Sequence, residues 1–353
     1  MTANRNPFVS VIVPARNEES CLGSCLESLA AQTGIDYEII IVDDASTDRT
    51  AEIARSFPGV RVIEAGPLPE NWTGKNNAMA AGAKIAKGTW LLFTDADTIH
   101  KPGSLARAVA EAEQHRATLL SYSPEQEVRS FWEKAVMPVI FAELASTYPP
   151  KKVSDPSSPI AAANGQYLLI SREAYDAVGG HTRIASDLLE DVAMARLVKS
   201  AGRKIFFRYG GDAVRTRMYR SWPQMKEGWT KNLAILFPRP RVLGLFRGIE
   251  FLLIAGNVIA AVAARLLGRQ DVAVATGLLA FLLVASFFLR VQRAHFSALS
   301  NVLALLGLPI VAYLLFRSAV LHRRHAVTWK GRSYGQPYGK AGGLSSQLRR
   351  GGM

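Results

Sequence analysis

The chain has 353 residues, 49% hydrophobic and 20% charged, with a formal net charge of +13 and a mean hydropathy of +0.09. So much apolar surface can offset chain entropy and excludes disorder over most of the length. The charge is uneven: residues 1–224 carry 25 Lys/Arg against 26 Asp/Glu, and residues 225–353 carry 17 against three. Those basic residues interleave with long apolar runs, which points to a membrane and away from nucleic acid.

Phe8–Pro14 (FVSVIVP) predicts a strand, and 20–32 a helix opened by Ser20. Cys21 and Cys25 lie four apart on one helix face and read as buried small hydrophobes rather than a disulfide or zinc pair. The N-terminal apolar run is too short for a signal peptide, so the first domain is expected in the cytosol. Glu38–Val42 predicts a strand, 48–57 a helix with Asp48 as cap, Val60–Glu64 a strand, 75–86 a helix and Thr89–Thr94 a fourth strand. This rhythm of βαβ units implies a mostly parallel sheet covered on both faces, with ligands beyond the carboxyl ends of the strands. Three polar, acid-rich loops follow those ends, at 15–19, 43–48 and 95–97.

Residues 129–148 predict an apolar helix, and 164–210 return to strand, helix, helix and strand. From 222, SWPQMKEGWTKNLAILF reads as an amphipathic basic helix. Apolar stretches follow at 251–264, 272–289 and 296–316, the last two long enough for a spanning helix of roughly 20 residues. The tail 317–353 holds eight Lys/Arg and no acid, so it is expected in the cytosol. An even number of spans is then required. Two, at 272–289 and 296–316, fit best, with 225–267 at the interface. The expected domains are a cytosolic catalytic part (1–221), an interfacial segment (222–250), a membrane region of two to three helices (251–320) and a basic cytosolic tail (321–353).

Asp95-Ala96-Asp97 leaves a buried strand, where two carboxylates at i and i+2 can both reach a divalent cation such as Mg²⁺ or Mn²⁺. Asp43, Asp44 and Asp48 follow the second strand and offer acceptors for a nucleoside, although Ser46 and Asp48 could simply cap the next helix. Lys75 follows Gly74 at a helix start, where charge and free N–H groups both favour phosphate. Glu190 and Asp191 are adjacent, so at most one is expected to point into a given cleft, where it could act as general base. Arg217 and Arg220 could pair with a pyrophosphate, while Trp222 and Trp229 suit sugar stacking or headgroup anchoring equally. His181 reads as a packed turn residue. No G-x-G-x-x-G follows the first strand, which excludes a dinucleotide-dependent oxidoreductase.

Taken together, VSVIVPARNEE, VDDASTD, GK followed by small residues, TDAD and a late helical ED resemble family 2 glycosyltransferases of GT-A fold, over roughly residues 8–235. RMYRSW, QMKEGWTKN and VTWKGRSY (Val327–Tyr334) are similar to a membrane-anchored subgroup that glycosylates lipids, in particular carotenoid acids, and more distantly hopanoids and ceramide. The resemblance implies an inverting transfer of a sugar, glucose by family habit, from a UDP-sugar to a membrane lipid. It also implies a multi-pass protein of the plasma (inner) membrane whose catalytic domain faces the cytoplasm. Pro14, Ala15, Arg16 and Glu18 would line the uracil and ribose pocket, Asp44 would bind the nucleoside, and Lys75 would hold it or its phosphates. Asp95 and Asp97 would carry Mg²⁺ or Mn²⁺, with Asp97 the direct ligand, and Asp191 would be the general base. The (Q/R)-x-x-R-W motif of lipid-sugar relatives is replaced here either by Arg217–Trp222, which has one extra residue, or by Gln224–Trp229, which lacks the Arg. A processive polysaccharide synthase and an inactive tethered nucleotide-sugar binder are the alternatives.

Overall fold

The computed structural model describes residues 8–334. The elements run β1 (Phe8–Ala15), α1 (Leu22–Ala30), β2 (Asp36–Asp43), α2 (Thr50–Arg55), β3 (Val60–Glu64), α3 (Gly74–Ile85), β4 (Trp90–Phe93), β5 (Thr98–His100) and α4 (Ser104–Gln114). They continue with β6 (Leu119–Ser123), β7 (Glu125–Gln126), α5 (Phe131–Thr147), α6 (Pro150–Ser154), β8 (Leu168–Ser171), α7 (Arg172–Ala177), α8 (Gly180–Arg183), α9 (Glu190–Ser200), β9 (Ile205–Tyr209) and β10 (Val214–Thr216). The last part holds α10 (Trp222–Leu236), α11 (Pro240–Leu266), α12 (Gln270–Val291), α13 (Ala298–Arg323), β11 (Thr328–Trp329) and β12 (Arg332–Ser333).

A seven-stranded sheet has the order β3-β2-β1-β4-β8-β6-β9 and is parallel except for β8, which runs against both its neighbours. Both faces are covered, so β1 reads as an unbroken apolar run instead of an alternation. Val9, Val11 and Val13 pack with α1 and α4 on one face, whereas Ile12 joins α3 and α9 on the other. The register pairs Ala15 with Asp43 and Ile12 with Phe93. The loops after β1, β2 and β4 therefore leave at one edge, as the sequence predicts. The helix caps differ from expectation: α1 begins at Leu22 with Cys21 as its cap, not at Ser20. Asp48 does not cap α2 itself but accepts the Thr50 N–H one residue further in, at 3.0 Å.

A small second sheet, β5-β10-β7, has no clear signature in the sequence. It pairs Thr98 with Thr216 and thereby places the Arg217 segment beside Asp97. The Thr216 hydroxyl donates to the Asp97 carbonyl at 3.2 Å.

The C-terminal part departs furthest from expectation. Among the described residues three helices, within the two to three expected, are long and apolar enough to cross a membrane: 240–266, 270–294 and 298–323. The stretch expected at the interface is divided at Pro238 and Pro240, since proline cannot continue the preceding helix but suits the first turn of the next. In α11 and α12 only 11% of the most apolar window is buried in the protein, whereas in α13 half is. The α13 helix is bound into the catalytic part. The Ser318 hydroxyl inserts into the backbone ladder of α10, donating to Thr230 O at 2.6 Å and accepting from Ala234 N at 2.9 Å. Arg247, Glu250 and Arg290 of α11 and α12 form a compact ion cluster with Glu143 of α5, the Arg–Glu250 contacts being 2.6 and 2.8 Å. Arg290, at the end of α12, is thereby paired with Glu143 of α5. The tail beyond residue 334 lies outside the described residues.

Gly307 of α13 abuts the Ala135 backbone of α5 so closely that any Cβ would overlap the Ala135 carbonyl oxygen. Gly307→Val should therefore separate the two helices and cost about 2 kcal/mol or more, as overpacking does. Gly256→Ala in α11, where nothing lies within 4 Å, should leave thermal unfolding in detergent unchanged. Equal melting temperatures for the two variants would refute this account of the α5–α13 contact.

Candidate active site

One cleft of about 850 Å³ collects residues from nearly every element described as reaching the sheet's carboxyl edge. Pro14, Ala15, Arg16 and Glu18 line it from the β1 loop, Asp44 from the β2 loop, and Asp95 and Asp97 from the β4 loop. Lys75 enters from the start of α3, Asp191 from α9, and Arg217 and Arg220 from the segment after β10. Trp222 does not line the cleft; its ring packs on Trp132, 4.8 Å between centroids.

Lys75 is the hub. Thr73 caps α3 by accepting the Asn76 N–H at 3.1 Å, which fixes Lys75 in the first turn. Its ammonium lies 2.7 Å from Asp95 Oδ1 and 2.6 Å from Glu190 Oε1. Burial opposes the charge on Lys75, but the two carboxylates hold its proton well above the usual lysine range. Burial likewise works against ionised Glu190, and Lys75 wins, so that its carboxyl is pulled below the usual value.

Adjacent Glu190 and Asp191 both face the cleft, contrary to the expectation that at most one would. They are the first two residues of α9, which starts at the cleft wall, so each can reach it from the helix end instead of around the barrel of the helix. Asp191 accepts the Gly165 N–H at 2.8 Å. Burial and the neighbouring Glu190 push its carboxyl up to about 6. Asp97 is partly buried, and desolvation together with Asp95 and Glu18 pushes its carboxyl up to about 7. Its Oδ1 is shielded from solvent and has no hydrogen-bond partner. An orphaned carboxylate oxygen next to a second carboxylate is a fit for a hard cation. Among the described residues there is no cluster of three or more His, Cys, Asp and Glu ligands, so any further ligands would have to come from substrate or water.

Arg217 is committed elsewhere, donating to the buried Glu133 at 2.8 Å. Arg220 stays at the cleft wall, as do Gln224 and Trp229 from α10. Both segments that could replace the lipid-sugar motif thus contribute side chains. His181 is packed, with Tyr175 Oη 3.0 Å from its Nδ1, and burial holds its ring well below the usual histidine range, at about 3. Both cysteines are buried. Among the cleft residues that were not expected at the site are two cations near the C-terminus. Lys330 pairs with Glu18, and Arg332 with Asp44. Only their place in VTWKGRSY could have drawn attention to them.

Removing the hub should expose its energetic role. Lys75→Met leaves Glu190, 6% exposed, as an uncompensated buried carboxylate, which costs about 3 kcal/mol. Adding Glu190→Gln to Lys75→Met should recover part of the lost melting temperature; no recovery would argue against the pair as the source.

Comparison with known proteins agrees with this geometry. Residues 10–179 match Glycosyl transferase family 2. The chain is 29% identical over 234 residues to a 4,4'-diaponeurosporenoate glycosyltransferase of Staphylococcus aureus, covering 64% of this chain and 60% of the relative, so the match spans about three-fifths of that relative's length. The same protein from another strain of that species is 27% identical over 340 residues, covering 92% of this chain and 88% of the relative. In fold, the chain is similar to a mannosyltransferase from Pyrobaculum calidifontis solved with GDP-Man and Mn²⁺, at a TM-score of 0.51 and 18% identity, covering 90% and 87% of the two chains. The acid-lined cleft at the carboxyl edge and the matched residues agree: the chain has a GT-A fold, and its residues 10–179 are similar to family 2 glycosyltransferases.

Proposed function

We propose that the protein transfers a sugar, glucose from UDP-glucose by preference, to a membrane lipid acceptor, with inversion at the anomeric carbon. The carrying observation is a single cleft that is acidic at one end and apolar at the other. Asp44, Asp95, Asp97 and Asp191 lie toward the sheet edge, whereas Phe141, Leu144 and Leu236 of α5 and α10 form an apolar wall. Residues 293–295, between α12 and α13, line the same cleft. A lipid acceptor can thus pass from the apolar helices to the acids without crossing water. The name of the S. aureus relatives describes a carotenoid acid as acceptor, and an acceptor of that class suits the apolar wall.

In this reading Asp44 and the β1 loop hold the nucleoside. Asp97 and Asp95 would hold a divalent cation, Mg²⁺ or Mn²⁺, which supplies charge compensation for the leaving diphosphate when bound; the mannosyltransferase of similar fold was solved with Mn²⁺. Asp191 accepts the proton of an acceptor hydroxyl as its oxygen attacks the anomeric carbon and the bond to the diphosphate breaks. A carboxylate acceptor near neutral pH has no proton to lose. A processive synthase is disfavoured because α13, half buried in the catalytic part, leaves few helices to enclose a path for a polymer.

The test is nucleoside diphosphate release from UDP-, GDP- and dTDP-sugars with Mn²⁺, with and without lipid extract. Lipid-stimulated release from one donor is expected, and Asp97→Ala should lower it at least 100-fold, in keeping with loss of a major electrostatic contribution. With a hydroxyl acceptor, turnover should fall as pH drops through about 6, where Asp191 takes up a proton. With a carboxylate acceptor, Asp191→Asn should cost clearly less than Asp97→Ala. Comparable losses would remove the base from the mechanism.

We read the membrane arrangement from which helix ends meet the catalytic part. Residue 240 follows α10 directly, residues 293–295 line the cleft, and residues 329–334 return to it. The α11–α12 pair is then a two-span hairpin, and α13 has both ends on the catalytic side, lying against the membrane surface. The catalytic side is the cytoplasm by the positive-inside rule. In vesicles of known orientation, an impermeant maleimide should label Arg269→Cys from the face opposite the catalytic domain. Gln292→Cys and Arg324→Cys should both be labelled from the catalytic face. Labelling of Arg324→Cys together with Arg269→Cys would mean that α13 crosses.

A further inference from the structure

The segment Val327–Tyr334 has no part in the reaction described above, yet it lies inside the cleft. β11 and β12 pair antiparallel, Trp329 with Arg332. The two residues between them, Lys330 and Gly331, both have positive φ, 47° and 76°, as a two-residue primed hairpin turn requires. Lys330 adopts that conformation without the freedom of glycine, which sets its side chain at the hairpin tip. The base of the hairpin is firmly held. Val327 is buried, the Tyr334 N–H donates to Val327 O at 2.8 Å, and the Lys231 ammonium sits 5.1 Å over the Trp329 ring.

At the tip, Lys330 donates to the Arg16 carbonyl at 3.0 Å and pairs with Glu18. Arg332 pairs with both oxygens of Asp44, at 2.5 and 3.0 Å. Its guanidinium presses against Gly74 so closely that a Cβ there would overlap it. Arg332 therefore lies on the N-terminal turn of α3, whose partial positive charge repels it. Arg332 at that helix N-terminus, with Lys330 on the same hairpin and Lys75 in the first turn, is a stable arrangement only if anions lie among them. In the structure Glu18 and Asp44 supply that charge, one carboxylate to each hairpin cation, and a diphosphate entering the cleft would compete for both.

We propose that Lys330 and Arg332 are donor-binding residues, and that the C-terminal hairpin forms the wall of the nucleotide pocket facing the β1 and β2 loops. Lys330 places its charge toward the diphosphate, and Arg332 orients Asp44 for the nucleoside. This inference rests on the reading of the cleft as a nucleoside-diphospho-sugar site. It also gives the membrane anchor a part in donor binding, since α13 leads directly into the hairpin.

Titration calorimetry of the detergent-solubilised full chain with UDP, GDP and dTDP, and with the matching free nucleosides, tests it. Lys330→Met should weaken binding of the preferred nucleoside diphosphate about tenfold or more, the worth of one charge-assisted hydrogen bond, and leave the nucleoside unaffected. Arg332→Met should weaken both ligands, and Arg332→Lys should recover part of the loss. In turnover, Lys330→Met should raise the donor KM far more than it lowers kcat, which a merely structural role would not do. Thermal unfolding checks each fold, and the tip variant Lys330→Gln serves should an Arg332 variant fail to fold. Unchanged diphosphate affinity in well-folded variants would overturn the proposal and leave the donor-site reading intact. Tighter binding would also overturn it, making the hairpin a plug that the donor must displace. No binding of any nucleoside diphosphate by the unmodified protein would overturn the donor-site reading itself, and this proposal with it.

Discussion

A single half-buried ammonium holds the catalytic half together. Lys75 joins the first turn of α3 to the β4 loop through Asp95 and to the start of α9 through Glu190. The three segments come from distant parts of the chain, and the β4 loop and the start of α9 each bring acids that repel one another. Without a cation among them, the carboxylates of Asp95, Glu190 and Asp191 would have to spread apart or take up protons. With it, the β4 acids and Asp191 are held facing one space. The same interaction leaves Asp97 as the cleft acid with a shielded oxygen that has no hydrogen-bond partner.

The sheet makes this possible by ordinary register. Parallel pairing of β1 with β2 and with β4 brings three acidic loops level, and antiparallel β8 closes the far side before α9 begins. The small β5-β10-β7 sheet then carries Arg217 and Arg220 to the same opening. Arg217 is taken up by Glu133, the residue that also accepts the Arg129 N–H at 2.6 Å at the start of α5. An arginine that looks free in the sequence therefore serves the join between the catalytic sheet and the first lipid-side helix.

The membrane part is not an appendage. Ser318 is threaded into the ladder of α10, Gly307 lets α13 touch the α5 backbone, and the Glu143–Arg247–Glu250–Arg290 cluster ties α11 and α12 to α5. Buried ion clusters add little net stability compared with apolar packing, but breaking one is costly, so this cluster favours one docking of the helical pair over others. The cleft, its apolar wall and the C-terminal helices consequently form one continuous body.

The sequence by itself determined the parallel sheet, the acid-bearing loops, the positions of Asp44, Asp95, Asp97 and Asp191 and the apolar character of the C-terminal third. These are local properties: strand runs, a metal-compatible spacing and the composition of a spanning helix depend only on neighbouring residues. What only the tertiary structure decided are pairings between distant residues. Glu190 faces the cleft together with Asp191 because both sit at a helix end, where the rule that neighbours point apart loses its force. Trp222 turns to Trp132, and Arg217 to Glu133, because a partner more than eighty residues away in sequence offered burial or charge. The number of apolar helices, and their docking, depend on where Pro238 and Pro240 divide one long run and on which face finds α5. Lys330 and Arg332 reach Glu18 and Asp44 across some three hundred residues, a contact that no local pattern encodes.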